Sequence, residues 1–166
     1  MSISNQPERT PIRRRAARAF ILTPDRHVLL IQIRTPDGAL VWITPGGGVE
    51  RGEEVEAALL REVEEEVGLR DAPLGPLVHR LLSTFNWGQW RVSQRETFHA
   101  IHVDRFEPLM TDEEEAAMVE SFRWWPVEEL AGADDAFMPR HIAEILGRYL
   151  ADGAADNPEE ELVELD

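Results

Sequence analysis

Residues 47–69 read GGVERGEEVEAALLREVEEEVGL, and this stretch decides how the rest of the chain is interpreted. Together with residues 44–46 (TPG), its first glycines predict a turn whose backbone can approach a ligand without interference from Cβ atoms. Good helix formers fill residues 54–67, and Gly68 is a typical cap for the end of a helix. The stretch therefore predicts a glycine turn followed by a helix.

Three acids of this predicted helix lie close together. Glu62, Glu65 and Glu66 occupy positions i, i+3 and i+4, so their carboxylates share one face. Neighbouring negative charges destabilise one another unless a cation joins them, and carboxylate oxygens are the ligands that Mg²⁺ and Mn²⁺ prefer. A glutamate run on a helix is also a common solvated surface. These residues alone allow either a metal site or a solvated face.

The spacing of the whole stretch favours the metal site. Gly47, Glu53 and the run REVEEEVGL at residues 61–69 are similar, at every defined position, to the signature of the Nudix hydrolases. With average residue usage of about 5–7% each, a chance match is on the order of one in ten million. The resemblance implies a metal-dependent pyrophosphohydrolase, in which water attacks a phosphoanhydride bond.

The resemblance also implies the metal ligands. Glu62 and Glu66 would bind Mg²⁺ or Mn²⁺ directly, and Glu65 would be a further ligand or its close partner. The carbonyl of Gly46 would be a backbone ligand. Gly47, in the same turn, would lie against the substrate.

Two further residues of the stretch would complete the catalytic group of Glu62, Glu65 and Glu66. Family members use the position of Glu53 to support the metal cluster, near the positive end of the helix dipole. Arg61 precedes Glu65 by four residues, so it can pair with that carboxylate and fix its position.

Relatives often recruit one more acid from outside this stretch as a ligand or as the base. The candidates here share only a suitable position on a strand or loop after the helix, and the sequence does not choose among them. They are Glu96, Glu113, Glu114, Glu115 and Glu120.

Substrate recognition is less clearly encoded. Arg34, at the end of the second predicted strand, matches a position where relatives often hold phosphate, although a plain surface arginine is the alternative. Trp87 and Trp90 offer aromatic faces on which a nucleobase can stack, or they pack on the sheet edge. Phe85 stands where ADP-ribose-cleaving relatives carry proline, which counts against that subgroup.

The default expectation is therefore a hydrolase of a nucleoside diphosphate linked to another group, most simply a nucleoside triphosphate or a related nucleotide. The alternatives are an ADP-ribose or nucleotide-sugar hydrolase, a dinucleoside-polyphosphate hydrolase, and a non-catalytic Nudix-fold module that senses nucleotides. Such modules usually lose acids of the signature, and none is lost here.

Strands dominate the chain, one helix follows the glycine turn and another closes the chain, which predicts an α+β domain with a partly antiparallel, mixed sheet. Apolar runs at residues 16–23 and 27–34 predict a hairpin, and residues 139–150 predict a closing helix. The resemblance implies an α/β/α sandwich with a loop-helix-loop catalytic segment. We expect a flexible arm at residues 1–11, the domain at 12–150, and a disordered tail at 151–166, which carries seven acids and no base.

Composition limits the partners. The 166 residues include 32 acids against 17 lysines and arginines, giving a net charge of −15 that argues against binding nucleic-acid polymers. No apolar run suits a membrane span, and the absence of cysteine fits a reducing compartment. We expect a cytoplasmic monomer or homodimer acting on a small nucleotide. A locally basic segment precedes and enters the first strand, at Arg9, Arg13, Arg14, Arg15 and Arg18.

Overall fold

The computed structural model describes residues 8–165, which form nine strands and four helices. The strands are β1 (Thr10–Leu22), β2 (His27–Arg34), β3 (Leu40–Ile43), β4 (Gly46–Gly48), β5 (Leu74–Trp87), β6 (Trp90–His102), β7 (Val119–Pro126), β8 (Phe137–Met138) and β9 (Glu160–Glu164). The helices are α1 (Val55–Val67), α2 (Glu113–Ala116), α3 (Val127–Leu130) and α4 (Ile142–Asp152). Within the described residues, no helix is both long enough and apolar enough to cross a membrane.

Strand β1 is the centre of one mixed sheet with the order β8-β3-β2-β1-β6-β5-β9. It runs parallel to β6 over its whole length and antiparallel to β4. The predicted hairpin between β1 and β2 is present, but the two strands pair only beside the turn, where Leu22 faces Val28. Because β4 and β6 occupy the two edges of β1, strand β2 turns away and pairs with β3 and β7 instead.

Alternating side chains of β1 build two cores, one on each face of the sheet. Ala17, Ala19 and Ile21 face α1, and Phe20 and Leu22 face α3 and α4. The expected α/β/α layering is therefore present. It holds α1 rigidly on one face of the sheet, beside the glycine turn that precedes it.

Both chain ends differ from the expectation. Residues 1–7 of the expected arm lie outside the described residues, but Thr10 and Pro11 already belong to β1. The expected disordered tail is wrong for residues 160–164, which form β9 in parallel with β5. β5 would otherwise be an edge strand with unpaired backbone groups, and β9 supplies partners for them. Helix α4 also continues past residue 150, to Asp152.

Candidate active site

Helix α1 begins and ends where the sequence predicts. Glu54 has extended backbone angles and precedes the first helical residue. Gly68 adopts the left-handed conformation, with φ of 77°, and its N–H donates to the carbonyl of Glu64 while Leu69 N–H donates to that of Val63. The bond from the left-handed Gly68 to the carbonyl four residues earlier is that of an αL cap. It fixes the length of α1 and so the position of each acid on it.

The glycine turn (residues 44–48) fits closely between β1 and α1. Gly46 has φ of 136°, and a Cβ atom there would lie 2.1 Å from the carbonyl oxygen of Ala17. A Cβ atom on Gly47 would lie 2.6 Å from the carboxylate carbon of Glu62. Glycine at these positions thus allows the first acid of α1 to rest against the turn. Gly47, expected beside the substrate, contacts this acid.

Three carboxylates form what we call the acid cluster: Glu62, Glu66 and Glu115. Each contributes an oxygen, and these oxygens lie within 4.8 Å of one another. Glu62 and Glu66 are 6% and 8% exposed, whereas Glu115 is exposed. Of the five outside acids that the sequence left open, the structure brings Glu115 to the two buried acids of α1.

Backbone contacts explain why Glu115 reaches this place. Leu109 N–H donates to the carbonyl of Val67, and Thr111 N–H donates to that of Glu65, which ties the loop before α2 to the end of α1. Asp112 then caps α2, accepting hydrogen bonds from the N–H groups of Glu114 and Glu115. These contacts therefore place the carboxylate of Glu115 beside the acids of α1.

Burial dominates the electrostatics of the acid cluster. Desolvation raises the pKa of Glu66 to about 8, although the Gly46 N–H, 2.7 Å from Oε2, opposes the shift. Desolvation also raises the pKa of Glu62 against the effect of Arg61, and the pKa of Glu115 is raised by desolvation and then by the charge of Glu62. Oε2 of Glu62 is buried and has no hydrogen-bond partner. The negative charge of the acid cluster is therefore only partly compensated by nearby cations and hydrogen-bond donors.

Arg61 holds the acids around the cluster in place. Its Nε and Nη2 bind both carboxylate oxygens of Glu53 at 2.9 and 3.0 Å, and Nη1 donates to Glu62 at 2.9 Å and to Glu65 at 3.3 Å. Nη2 also donates to the carbonyl of Gly48. The Arg61 hydrogen bonds lower the pKa of Glu53 to about 2, so this acid stays ionised as an anchor for the arginine.

Arg18 makes a second link between the sheet and the glycine turn. Its Nε donates to Glu96 at 3.0 Å and its Nη1 to the carbonyl of Gly46 at 3.1 Å. The expected metal-binding carbonyl thus already accepts one hydrogen bond, and a carbonyl oxygen has a second lone pair for another partner. Glu96, one of the candidate acids outside the signature, already forms an ion pair with Arg18. The sequence marked Arg18 only as part of a basic segment.

The other expected residues lie outside the acid cluster. Glu65 is half-exposed and bonded by Arg61, so its role as a ligand stays a prediction. Arg34 is half-exposed and donates to Glu120 and to the carbonyl of Gly38. Glu113 and Glu114 are exposed on α2.

Trp87 and Trp90 face each other across the tip of the β5–β6 hairpin, each 36% exposed. Trp90 pairs with Thr10 of β1, seven residues before Ala17, which pairs with Gly47. At about 3.3 Å per residue, this places the tryptophans roughly 20 Å along the sheet from the turn. Their contact with a nucleobase stays a prediction.

Known proteins resemble this chain over most of its length. A family model of the NUDIX domain matches residues 12–145. Diphosphoinositol polyphosphate phosphohydrolase 3-beta of Homo sapiens is 34% identical over 134 residues, which are 80% of this chain and 74% of that protein. The RNA pyrophosphohydrolase of Shewanella sp. strain W3-18-1 is 46% identical over 54 residues, 32% of this chain and 29% of that protein.

The fold is also found among solved structures. The structure of the E. coli dihydroneopterin triphosphate pyrophosphohydrolase superposes with a TM-score of 0.63 at 15% identity, covering 83% of this chain and 95% of that one. The signature residues, the sandwich and these relatives lead to one conclusion: the chain belongs to the Nudix family and is a pyrophosphohydrolase.

Proposed function

We propose that the protein hydrolyses a phosphoanhydride bond in a nucleoside triphosphate or a related nucleotide, with Mg²⁺ or Mn²⁺ held by the acid cluster. The observation that carries this proposal is the meeting of Glu62, Glu66 and Glu115 within 4.8 Å, with Oε2 of Glu62 buried and unpartnered. Such oxygens fit a hard divalent cation, because it supplies the charge and the coordination that the protein leaves missing.

The bound ion would neutralise phosphate oxygens and lower the pKa of a water molecule. The protein's own residues would keep the acids in register. Arg61 anchors Glu62 through its bidentate pair with Glu53, and the Gly46 N–H fixes one oxygen of Glu66. Loss of either support would misplace a ligand without removing it.

Glu115 fits the role of proton acceptor. It is the exposed member of the acid cluster, so water can reach it while the buried Glu62 and Glu66 hold the ion. A carboxylate in this position can accept a proton from attacking water. Glu65, bonded by Arg61, would then be an auxiliary ligand or a partner of one.

A second substrate class is favoured by a specific relative. The human protein that is 34% identical over most of this chain is named for diphosphoinositol polyphosphate. A diphosphorylated inositol polyphosphate contains the same phosphoanhydride bond as a nucleotide, so the acid cluster would serve both. The Shewanella relative is named for RNA, but a net charge of −15 disfavours a polymer substrate here.

The test is a substrate screen with Mg²⁺ and with Mn²⁺, scored by the identity of the products. It should include nucleoside triphosphates, dinucleoside polyphosphates, ADP-ribose and a diphosphoinositol polyphosphate. We expect turnover that is lost in Glu66→Gln and kept in Glu161→Gln, which removes an acid from β9. Binding of a nucleotide without turnover in the wild type would instead support a sensing module.

A further inference from the structure

The ion pair of Arg18 with Glu96 takes no part in the metal site proposed above, and neither residue belongs to the signature. Arg18 Nε lies 3.0 Å from Glu96 Oε1, and the two side chains are 18% and 7% exposed. Removing two charges from water is costly, and their attraction often only balances that cost, so a buried ion pair is weak evidence of stability. The contacts of this pair support a role at the neighbouring glycine turn instead.

The glycine turn depends on contacts from its neighbours, because it has no side chains of its own to fix the backbone. Residues 46–48 are all glycine, and Gly46 has φ of 136°, a conformation that favours glycine. Hydrogen bonds from outside therefore set the directions of the turn carbonyls. Arg61 Nη2 donates to the carbonyl of Gly48 from α1, and Arg18 Nη1 donates to that of Gly46 from β1 at 3.1 Å.

Each of these two arginines is itself held by a glutamate. Nε of Arg61 donates to Glu53 at 2.9 Å, and Nε of Arg18 donates to Glu96 at 3.0 Å. In both cases another nitrogen of the same guanidinium reaches a turn carbonyl. The rigid fork of an arginine can serve two acceptors at once in a fixed geometry, which a lysine ammonium does not provide. The Arg18–Glu96 pair thus repeats, from the sheet, the arrangement that Arg61 and Glu53 make from α1.

Gly46 connects Arg18 to the acid cluster. Its N–H donates to Glu66 at 2.7 Å and its carbonyl accepts from Arg18, so the Gly46 backbone lies between the two side chains. Burial raises the pKa of Glu66 to about 8, and the Gly46 N–H and the charge of Arg18 oppose this shift. Burial also raises the pKa of Glu62 and of Glu115, and the Arg18 charge opposes both shifts. Arg18 is therefore within electrostatic reach of all three acids.

We propose that Arg18, anchored by Glu96, is a positioning residue that fixes the direction of the Gly46 carbonyl beside the acid cluster. The inference rests on the proposed function, because it assigns the pair a part in the same metal site. A carbonyl oxygen has two lone pairs, so Arg18 can occupy one while a metal ion takes the other. Partners that orient a metal ligand typically contribute about 10–100-fold in metal affinity or activity.

The first test measures Mn²⁺ binding without substrate, by electron paramagnetic resonance of the free ion. Two variants address the pair. Arg18→Lys keeps the charge and loses the fork, and Arg18→Met/Glu96→Met removes both partners without changing the net charge. The matched controls are Arg26→Lys and Arg26→Met/Glu128→Met, because Arg26 and Glu128 form an exposed ion pair of 2.8 Å. Circular dichroism at the temperature of the titration checks that each variant is folded, which apolar replacement of a buried pair is expected to allow.

We expect Arg18→Lys and Arg18→Met/Glu96→Met to bind Mn²⁺ about tenfold or more weakly than the wild type. Both control variants should bind within about twofold of the wild type, since exposed pairs have little influence beyond their own surroundings. Wild-type affinity in Arg18→Lys would show that only the charge of Arg18 matters, and would overturn the proposal. Wild-type affinity in the double variant would overturn it as well.

The second test uses a substrate found in the screen. At a limiting Mn²⁺ concentration, both Arg18 variants should lower kcat about tenfold or more and leave the KM of the substrate within about twofold, because they misdirect a metal ligand without contacting the substrate. Wild-type Mn²⁺ affinity combined with a KM raised about tenfold would place Arg18 against the substrate. That result would overturn the positioning role.

Glu66→Gln separates this inference from the proposed function in the same Mn²⁺ titration. If Glu66→Gln binds Mn²⁺ like the wild type, the acid cluster is not the metal site and the proposed function fails. If Glu66→Gln loses Mn²⁺ binding while the two Arg18 variants keep it, the acid cluster holds metal without help from Arg18. Only the inference about Arg18 and Glu96 then fails.

Discussion

Two regions of this protein are rich in glutamate, but their carboxylates differ in burial and in pairing. In the acid cluster, Glu62 and Glu66 are buried close to Glu115, and Glu62 has an oxygen with no partner. On β9, Glu160 is bound by Arg95 on both oxygens, and Glu161 accepts a hydrogen bond of 2.8 Å from His79. The β9 acids are paired with basic side chains, whereas in the acid cluster only Glu62 has such a pair, with Arg61, and neither Glu66 nor Glu115 forms a salt bridge within residues 8–165.

The comparison indicates that pairing, more than residue type, separates the structural acids of β9 from the acids that we propose to bind metal. A paired surface acid contributes modestly to holding an edge strand in place. A buried acid without a partner makes folding less favourable, and only an external cation or a proton relieves it. Replacing acids in one of these regions should therefore affect catalysis and stability differently from replacing acids in the other.

The largest expected difference is in catalysis. Glu66→Gln should lower kcat by about 10²–10⁴-fold with the fold intact, because it removes a charge that holds the metal and so stabilises the transition state. Glu161→Gln, the matched change on β9, should leave kcat within about twofold. Steady-state kinetics on a substrate from the screen gives both numbers. A loss of less than tenfold in Glu66→Gln would remove this acid from the site.

The next largest difference is expected when the arginine that binds the acids of each region is replaced. Arg61→Met should lower kcat by about 10–100-fold, because Glu53 and Glu62 lose the guanidinium that fixes them. Arg95→Met removes the corresponding partner of Glu160 and should leave kcat unchanged. Circular dichroism on both variants checks the fold. Equal losses in the two variants would show that Arg61 has no special part in ordering the ligands.

A smaller effect is expected on stability as a function of pH. Glu66 has a pKa of about 8 in the folded protein, against an ordinary value of 4.5, so between these values the folded state binds more protons than the unfolded one. The metal-free protein should therefore become less stable as pH rises from about 4.5 to 8.

Each unit within this window corresponds to about 1.4 kcal/mol at most, or about 3–5 °C in Tm. Glu66→Gln should remove the larger part of this slope; Glu62 and Glu115 contribute in the same direction, and His99, whose pKa is lowered by burial, contributes in the opposite direction. Differential scanning calorimetry in chelator, from pH 5 to pH 8, measures it. A wild-type Tm that rises across this range would contradict the assignment of an unpaired buried acid.

The smallest effect is expected on β9. Replacing Glu160 and Glu161 with glutamine should lower Tm by no more than about 3 °C, since partly exposed ion pairs near the protein surface add little and are screened by salt. The difference from the wild type should shrink between 0.05 and about 0.5 M NaCl, which melting curves will show. A salt-independent fall of 10 °C or more would mean that β9 is held by something other than its ion pairs.

The sequence predicted helix α1 well because local chemistry determines it. The glycine turn, residues 54–67 and the cap at Gly68 depend on backbone freedom and helix propensity, and the structure keeps these boundaries within one residue. The side-by-side placement of Glu62 and Glu66 follows from helical spacing alone. The α+β class followed from the dominance of strands with two clear helices, and the α/β/α layering followed from the resemblance to the Nudix family.

Tertiary contacts decided the rest. Glu115 could not be chosen over its neighbours because hydrogen bonds from Leu109 and Thr111 to the end of α1 bring it to the cluster. β9 was missed because its stability comes from the exposed edge of β5, about 80 residues earlier in the chain. An acidic tail viewed without that edge resembles a disordered segment.

Metal-dependent stability tests the assignment of the acid cluster most directly. Melting curves with and without Mg²⁺ or Mn²⁺ should be measured for three proteins. They are the wild type, Glu62→Gln/Glu66→Gln/Glu115→Gln, and the matched β9 variant Glu160→Gln/Glu161→Gln/Glu164→Gln. At about a hundred times Kd, metal should stabilise the wild type by roughly 2.7 kcal/mol, or about 5–10 °C.

The β9 variant should respond to metal like the wild type. The cluster variant should melt higher than the wild type in chelator, because its acids no longer repel one another, and should not respond to metal. The contradicting result is a cluster variant that keeps the full metal response while the β9 variant loses it. In that case the metal site would lie among the paired acids of β9, and the buried acids of α1 would have no metal to hold.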